Sequence, residues 1–318
     1  MLKPFKTYEE QLQILENRGL IIFDQTFALK VLKQENYYNL INGYKELFLL
    51  TPNLEGTSEK FKKGTTFEEI YMLYSFDREL RNLLLNSFLK FETTAKARLA
   101  YRFSEKYREG HAYLEIKNYS QHPKYLKNIS DLISNLFLVI KNRGNHSGAI
   151  KHYLEDYDNV PLWVLVNFMT FGNIQKMYEY LDPSLKNAIA KDFAEDFNAD
   201  YKKNIIISSG MVESILKSIN FFRNVCAHEE RLYNYKIRKI SKISSVSNVL
   251  GVDTTQLEKG NLFTAIVFLK LVTSKEEYEH LKKMIQNLFS KYDSHFKSLE
   301  FSEILMKMGF QPAWEETL

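Results

Sequence analysis

The stretch TFEEIYMLYSFDRELRNLLLNSFLKFETTAKARLAYRFSEKYREG runs from Thr66 to Gly110 with no proline and no glycine before its last residue. An interval this long without a backbone breaker, with apolar residues returning every three or four positions, reads as one continuous amphipathic helix. Ile70, Leu73, Tyr74, Leu80, Leu84, Phe88, Phe91 and Ala95 keep that rhythm. Thr66 followed by Glu69 has the form of a capping box, and Gly110 that of a closing glycine. Unbroken, such a helix is about 60 Å long and forms a spine for the rest of the chain.

The remaining segments also favour helices. Phe and Tyr are abundant, at 23 and 20 residues, which by composition could suggest strands, but the apolar spacing is helical. Tyr8 to Arg18, Asp24 to Glu35 with Asp24 as N-cap, and Tyr37 to Leu50 precede the spine. Lys124 to Asn142, Ala149 to Tyr157, Leu162 to Phe171, Ile174 to Leu181, Ser184 to Phe197 and Ser208 to Glu230 follow it. Phe263 to Val272, Lys275 to Tyr292 and Glu300 to Lys307 complete an all-α reading, and Pro161 and Pro183 fall at helix starts. Polar stretches at Thr51–Gly64 and Ser241–Gly260 read as linkers. They divide the chain into an N-terminal helical segment (1–64), a central domain (65–240) and a C-terminal helical segment (241–318).

Composition excludes several classes. At 45% hydrophobic and 26% charged over 318 residues, the chain has the apolar content to fold. Its net charge of +4 is mildly basic and says little by itself about a nucleic-acid partner. Cys226 is the single cysteine, so neither an intrachain disulfide nor a multi-thiolate site can form, and a reducing, cytoplasmic location is expected. The apolar runs are too short for a membrane span. There is no Walker loop, dinucleotide-binding glycine fingerprint or nucleophile elbow. The seven histidines show no paired-ligand spacing, so neither a metal site nor a cofactor is expected.

Chemistry concentrates in Phe221–Asn234, FFRNVCAHEERLYN, where Arg223 and His228 are separated by four residues. An arginine offers a planar fork to phosphate, and a histidine exchanges protons near neutral pH. Together they provide the parts for metal-free RNA cleavage, in which the 2′-hydroxyl attacks the adjacent phosphate. Positions five apart are rotated by about 140° on a regular helix, so the pair needs a helix end, a bend, or a second copy of the motif. A symmetric dimer would also supply the second proton-transfer group. The alternative is structural: Arg223 paired with Glu229 or Glu230, and His228 capping a helix end.

FRNVCAHEERLYN resembles the HEPN ribonuclease motif in the form carried by abortive-infection proteins of the AbiD/AbiF type. The resemblance extends through QLQILENRGLII, LKQENYYNLINGY, the spine itself, and HYLEDYDNVPLWVLVNFMTFGNIQKMYEYL, in order from about residue 3 to residue 240. It implies an all-α HEPN bundle with a long helix, a homodimer with paired motifs, and a metal-independent endoribonuclease acting as a toxin in phage defence. By the same resemblance Arg223 and His228 are the catalytic pair, Asn224 the polar residue beside them, and Glu92 a supporting residue. A small non-coding RNA is an implied regulatory partner.

Two basic groups read as RNA contacts. Lys90, Arg98, Arg102 and Lys106 form a near four-residue row on the spine, whose alternative is pairing with the acidic stretch Asp192–Asp200. Arg231, Tyr233, Lys236, Arg238 and Lys239 interleave cations with an aromatic ring, as phosphate contact and base stacking require. Trp163 and Phe171 read as core residues, Cys226 as packing, and Gly144–Gly148 as a solvated turn. A competing function is a non-catalytic RNA-binding or antitoxin-type module, and a third is a nucleotide-binding partner of a transferase.

Overall fold

The computed structural model describes residues 4–50 and 59–318. The fold is all-α, as the spacing indicates. In chain order its helices are α1 (Tyr8–Asn17), α2 (Gln25–Gln34), α3 (Phe67–Lys106), α4 (Leu126–Gly144), α5 (Ala149–Tyr157), α6 (Leu162–Leu165), α7 (Phe171–Tyr180), α8 (Pro183–Tyr201) and α9 (Ser209–Ala227). They continue as α10 (Ile243–Leu250), α11 (Thr254–Leu257), α12 (Leu262–Lys270), α13 (Lys275–Asp293), α14 (Phe301–Met308) and α15 (Trp314–Thr317). Extended pairing among the described residues is limited to isolated bridges such as Ile21 with Thr66 and Leu49 with Phe61.

The spine is α3, a helix of 40 residues. Its expected start is present: the Thr66 amide donates to Glu69 Oε2 at 3.0 Å, and the Glu69 amide donates to Thr66 Oγ1 at 3.1 Å. Its expected end is not, because α3 stops at Lys106 rather than at Gly110. There the Tyr107 hydroxyl reaches Asp182 at 3.2 Å, and His111 takes a left-handed φ of 56°. Asp24 caps α2 as expected, accepting the Phe27 amide at 2.9 Å.

Three further expectations change. Tyr37–Leu50 is a π-helical turn over Tyr38–Asn42 followed by a 3-10 turn over Glu46–Phe48. Asn36 Oδ1 accepts the Tyr38 amide at 2.8 Å, a local bond that competes with an ordinary first helical turn. Leu162–Phe171 breaks because Thr170 caps α7 by accepting the Asn173 amide at 3.2 Å. The expected linker Ser241–Gly260 holds α10 and α11, since Ile243, Val246, Val252 and Leu257 find buried positions among its serines and threonines. Residues 51–58 of the other expected linker lie outside the described residues, and Phe61 within it is buried.

The chain divides into two compact units, each assembled from separate stretches of sequence. The first comprises residues up to Leu83, Val225–Tyr235 and Lys282–Glu316. Its core is aromatic: Phe76 lies within 6 Å of the rings of Phe289, Tyr292 and Phe301, and Phe289 also meets Phe310 and Trp314. Glu69 serves this unit twice, since beyond the capping box it accepts the amides of Lys297 and Ser298 at 2.6 and 2.7 Å.

The second unit comprises Leu84–Asn224, Lys236–Leu281 and the last two residues. Helix α12 is buried from Leu262 to Leu269, which explains why its sequence is apolar all round. Phe91 packs against Phe171 and Phe193 at 5.9 and 6.1 Å. Phe171 is therefore the core residue its sequence suggests.

Candidate functional site

Helix α9 buries Met211, Val212, Ile215, Leu216, Ile219, Phe222, Val225 and Cys226, a stripe at helical spacing. Arg223 and Asn224 fall on the flank of that stripe and are half-buried. The helix ends at Ala227, so His228 is the residue at its C-cap. Behind it Glu229 is left-handed at φ 55°, the Glu230 amide donates to the Val225 carbonyl at 3.0 Å, and the Glu229 amide points to the Cys226 carbonyl at 3.4 Å. This 6→1 and 5→2 pairing is a Schellman cap, built with glutamate where glycine is the favoured residue. His228 is exposed and makes no side-chain bond with any described residue. His228 thus lies at a helix end, one of the arrangements that the five-residue offset allows.

The segment after the cap is fastened within the first unit. Asp77 Oδ2 accepts the Leu232 amide at 3.0 Å, and Asp77 Oδ1 accepts the Tyr233 amide at 2.7 Å. The Tyr44 hydroxyl and Arg81 Nη1 donate to Oδ2 at 2.7 and 2.6 Å. Arg231 Nη1 donates to the Gly43 carbonyl at 2.6 Å. Burial pushes the Asp77 carboxyl upward, against the pull of Arg81 and the two amides, and it raises the Tyr44 hydroxyl beside it as well. Burial also lifts the Cys226 thiol to about 12, so at neutral pH this cysteine packs and does not act as a nucleophile.

In the second unit Arg223 Nε lies 3.2 Å from Glu92 Oε2, and Lys96 Nζ lies 2.8 Å from Glu92 Oε1. Glu92 is buried inside α3, so it is a fixed anion for both cations. The Arg223 contact is an ion pair without hydrogen-bond alignment: neither Nε nor Oε2 has a hydrogen-bond partner. The guanidinium is thus held by charge while its N–H groups stay uncommitted. Glu229 and Glu230, the partners a purely structural reading assigns to Arg223, take no part in this pair.

The family model for Abi-like protein matches residues 30–234, well over half of the chain. The chain belongs to the Abi-like family. The matched span takes in Asp77, Glu92, Arg223, Asn224 and His228. No curated protein and no solved structure matches.

The other residues expected on this Abi-like chain's RNA path are placed differently. Arg98 pairs with Asp196, Arg102 with Asp192 at 2.5 Å and with Glu105 at 2.7 Å, Lys106 with Asp182 at 2.9 Å, and Lys90 with Glu277 at 3.2 Å. The spine row is therefore a ladder of ion pairs, chiefly to α8, and a phosphate there would compete with a carboxylate at every rung. Tyr233 is 1% exposed and stacks on Tyr44 at 5.6 Å, so its ring belongs to the core and is not a base platform. Arg231 is committed to Gly43, whereas Lys236, Arg238 and Lys239 are exposed. Trp163 reverses the expectation of a core residue: it is 57% exposed.

The residues that a sequence reading misses are Asp77, Arg81 and Tyr44. A signal existed, since Asp77 and Arg81 interrupt the buried stripe between Leu73 and Leu84 at a spacing of four, a position that only a satisfied ion pair can occupy. Among the described residues no three His, Cys, Asp or Glu side chains gather into a group that could hold a metal, and no helix is long and apolar enough to cross a membrane.

Proposed function

We propose that this Abi-like chain is an endoribonuclease of abortive infection, with a HEPN-type motif formed by Arg223, Asn224 and His228, acting as a homodimer without a metal ion. The observation that carries the reading is the uncommitted state of the two reactive groups. His228 stands exposed and unbonded at a helix end, and Arg223 is held by a buried carboxylate that leaves its N–H groups to an anion. A residue kept only for folding is ordinarily satisfied by the fold.

In the proposed reaction a neutral His228 takes the proton of the 2′-hydroxyl as that oxygen bonds to phosphorus. The P–O5′ bond breaks, and a protonated His228 from the second copy delivers a proton to the leaving 5′-oxygen. The products are a 2′,3′-cyclic phosphate and a 5′-hydroxyl end, and the pair of histidines has exchanged protonation states. The two Arg223 forks neutralise the charge that accumulates on the phosphoryl oxygens. A small RNA bound at rest is part of the same proposal as its means of restraint.

The test is cleavage of a labelled single-stranded RNA in EDTA, followed by analysis of the ends. Activity that persists and leaves cyclic phosphate supports the reading; a strict magnesium requirement for chemistry overturns it. RNA binding without any cleavage would favour the non-catalytic module instead.

A further inference from the structure

Within the second unit a cavity of about 960 Å³ opens between the C-terminal half of α3 and the segment that leads into α6. Trp163 and Tyr101 line it, and both are largely exposed, at 57% and 62%. Large aromatic side chains left in water beside a concave surface mark contact sites more than folding determinants. Two carboxamides stand in the same wall. Asn167 gives its N–H groups to the carbonyls of Trp163 and Val164, which leaves its oxygen as an acceptor, and Asn159 Oδ1 is buried without a partner.

The charge of this groove is balanced. Lys96 is held by Glu92, Glu105 by Arg102, and Arg108 and Glu109 add one charge of each sign to the lining. A polyphosphate would find no surplus of cations here, whereas a flat, neutral, aromatic group with hydrogen-bonding edges would find rings to stack on and amides to read it. The groove is linked to the motif arginine through one buried carboxylate, because Lys96 in its wall and Arg223 share the two oxygens of Glu92.

We infer that this groove binds unpaired nucleobases of single-stranded RNA by stacking on Trp163, next to the phosphate held at Arg223. The inference rests on the RNA reading above and adds to it the place where the substrate is gripped. The volume accommodates a short run of nucleotides.

The chain has two tryptophans, and Trp314 is buried, so the exposed Trp163 reports on the groove. The experiment titrates full-length His228→Ala protein, which should not cleave, with an adenosine hexanucleotide, reading tryptophan emission and the anisotropy of the labelled RNA. Saturable quenching is expected. Trp163→Ala should weaken binding by about tenfold and Trp163→Phe by much less, as loss of one stacking platform predicts. RNA binding that is equally tight in Trp163→Ala overturns the groove and leaves the nuclease reading intact. Binding through Trp163 by a protein whose wild-type form cleaves nothing keeps the groove and removes the nuclease. Absence of RNA binding overturns both. Emission that depends on protein concentration alone, with loss of self-association in Trp163→Ala, would assign the groove to a second copy of the chain and overturn the inference.

Discussion

The Asp77 carboxylate accepts the backbone amide of Tyr233 at 2.7 Å, although 156 positions of chain separate the two residues. The bond ties the segment just after His228 to the spine helix. Together with the Schellman cap it bounds the histidine on both sides: α9 fixes the backbone before it, and Asp77 fixes the backbone shortly after it. The position of His228 is therefore a property of the folded unit, while its imidazole remains free.

Asp77→Asn keeps the shape but offers one acceptor oxygen where there were two, and it leaves the buried Arg81 without its counter-charge. Breaking such a pair costs about 3 kcal/mol or more. Urea unfolding should show that loss, and hydrogen exchange at Leu232 and Tyr233 should accelerate more than exchange in α12. Adding Arg81→Met to Asp77→Asn should recover part of the stability, because the orphaned charge is then gone. If Asp77→Asn leaves both unfolding and exchange unchanged, the latch has no energetic weight.

Glu92→Gln removes the charge that holds Arg223 and Lys96 while preserving size. Both cations keep some access to water, so the stability cost should be modest, about 1–2 kcal/mol. Cleavage should fall much further than stability, since the guanidinium loses its orientation. A variant that melts lower yet cleaves at the wild-type rate well below its melting temperature would confine Glu92 to the fold.

How far the sequence was legible differs between these features. Periodicity exposed the spine, its capping box and most helix cores, because each is local and repeats every three or four residues. The long-range groups were harder to read. Asp77 finds its amides in Leu232 and Tyr233, and Glu69 finds two of its own in Lys297 and Ser298, pairings that no linear spacing encodes. The spine cations were legible in part: Arg98 and Arg102 find Asp196 and Asp192 in the acidic stretch that is their alternative partner by sequence, whereas Lys106 and Lys90 find Asp182 and Glu277 outside it. Trp163 and Tyr233 depart from expectation in opposite directions, since hydrophobicity alone does not say which of two aromatic side chains the fold will cover. Compact units built from separated stretches are invisible to a pass along the chain for the same reason.

Dimer function can be tested by subunit mixing. Because the reaction uses the histidines of both copies, His228→Ala protein unfolded and refolded together with wild type should lower cleavage by more than simple dilution does, since every mixed pair lacks either its acid or its base. The extra loss should depend on mixing before refolding. Wild-type protein that cleaves RNA while monomeric at micromolar concentration would overturn the shared site.

His111 gives an acid-side prediction. Its Nε2 accepts the Val160 amide at 3.1 Å, and burial lowers its pKa from the ordinary 6.5. The unfolded chain therefore takes up the proton at a higher pH than the folded one does. The stability due to this group is fully present above about pH 6.5 and is lost as the pH falls toward the lowered folded value. The melting temperature should drop between pH 7 and 5, and His111→Asn should flatten that part of the curve. A drop of equal size in His111→Asn would assign the effect to other groups.

Glu229 holds a left-handed backbone, φ 55°, at the C′ position of the α9 cap. A side chain there is strained, and glycine relieves the strain at the cost of a more flexible unfolded chain. Glu229→Gly should be neutral to stabilising, by up to about 1 kcal/mol, whereas Glu229→Val should destabilise by 1 kcal/mol or more, since a β-branched residue tolerates the left-handed region poorly. Both are read from denaturant midpoints. The pair also separates the cap's two duties: if the turn serves only to place His228, Glu229→Gly retains cleavage and Glu229→Val loses it in step with its stability. Loss of cleavage in a fully stable Glu229→Gly protein would instead assign the Glu229 carboxylate a part in the chemistry.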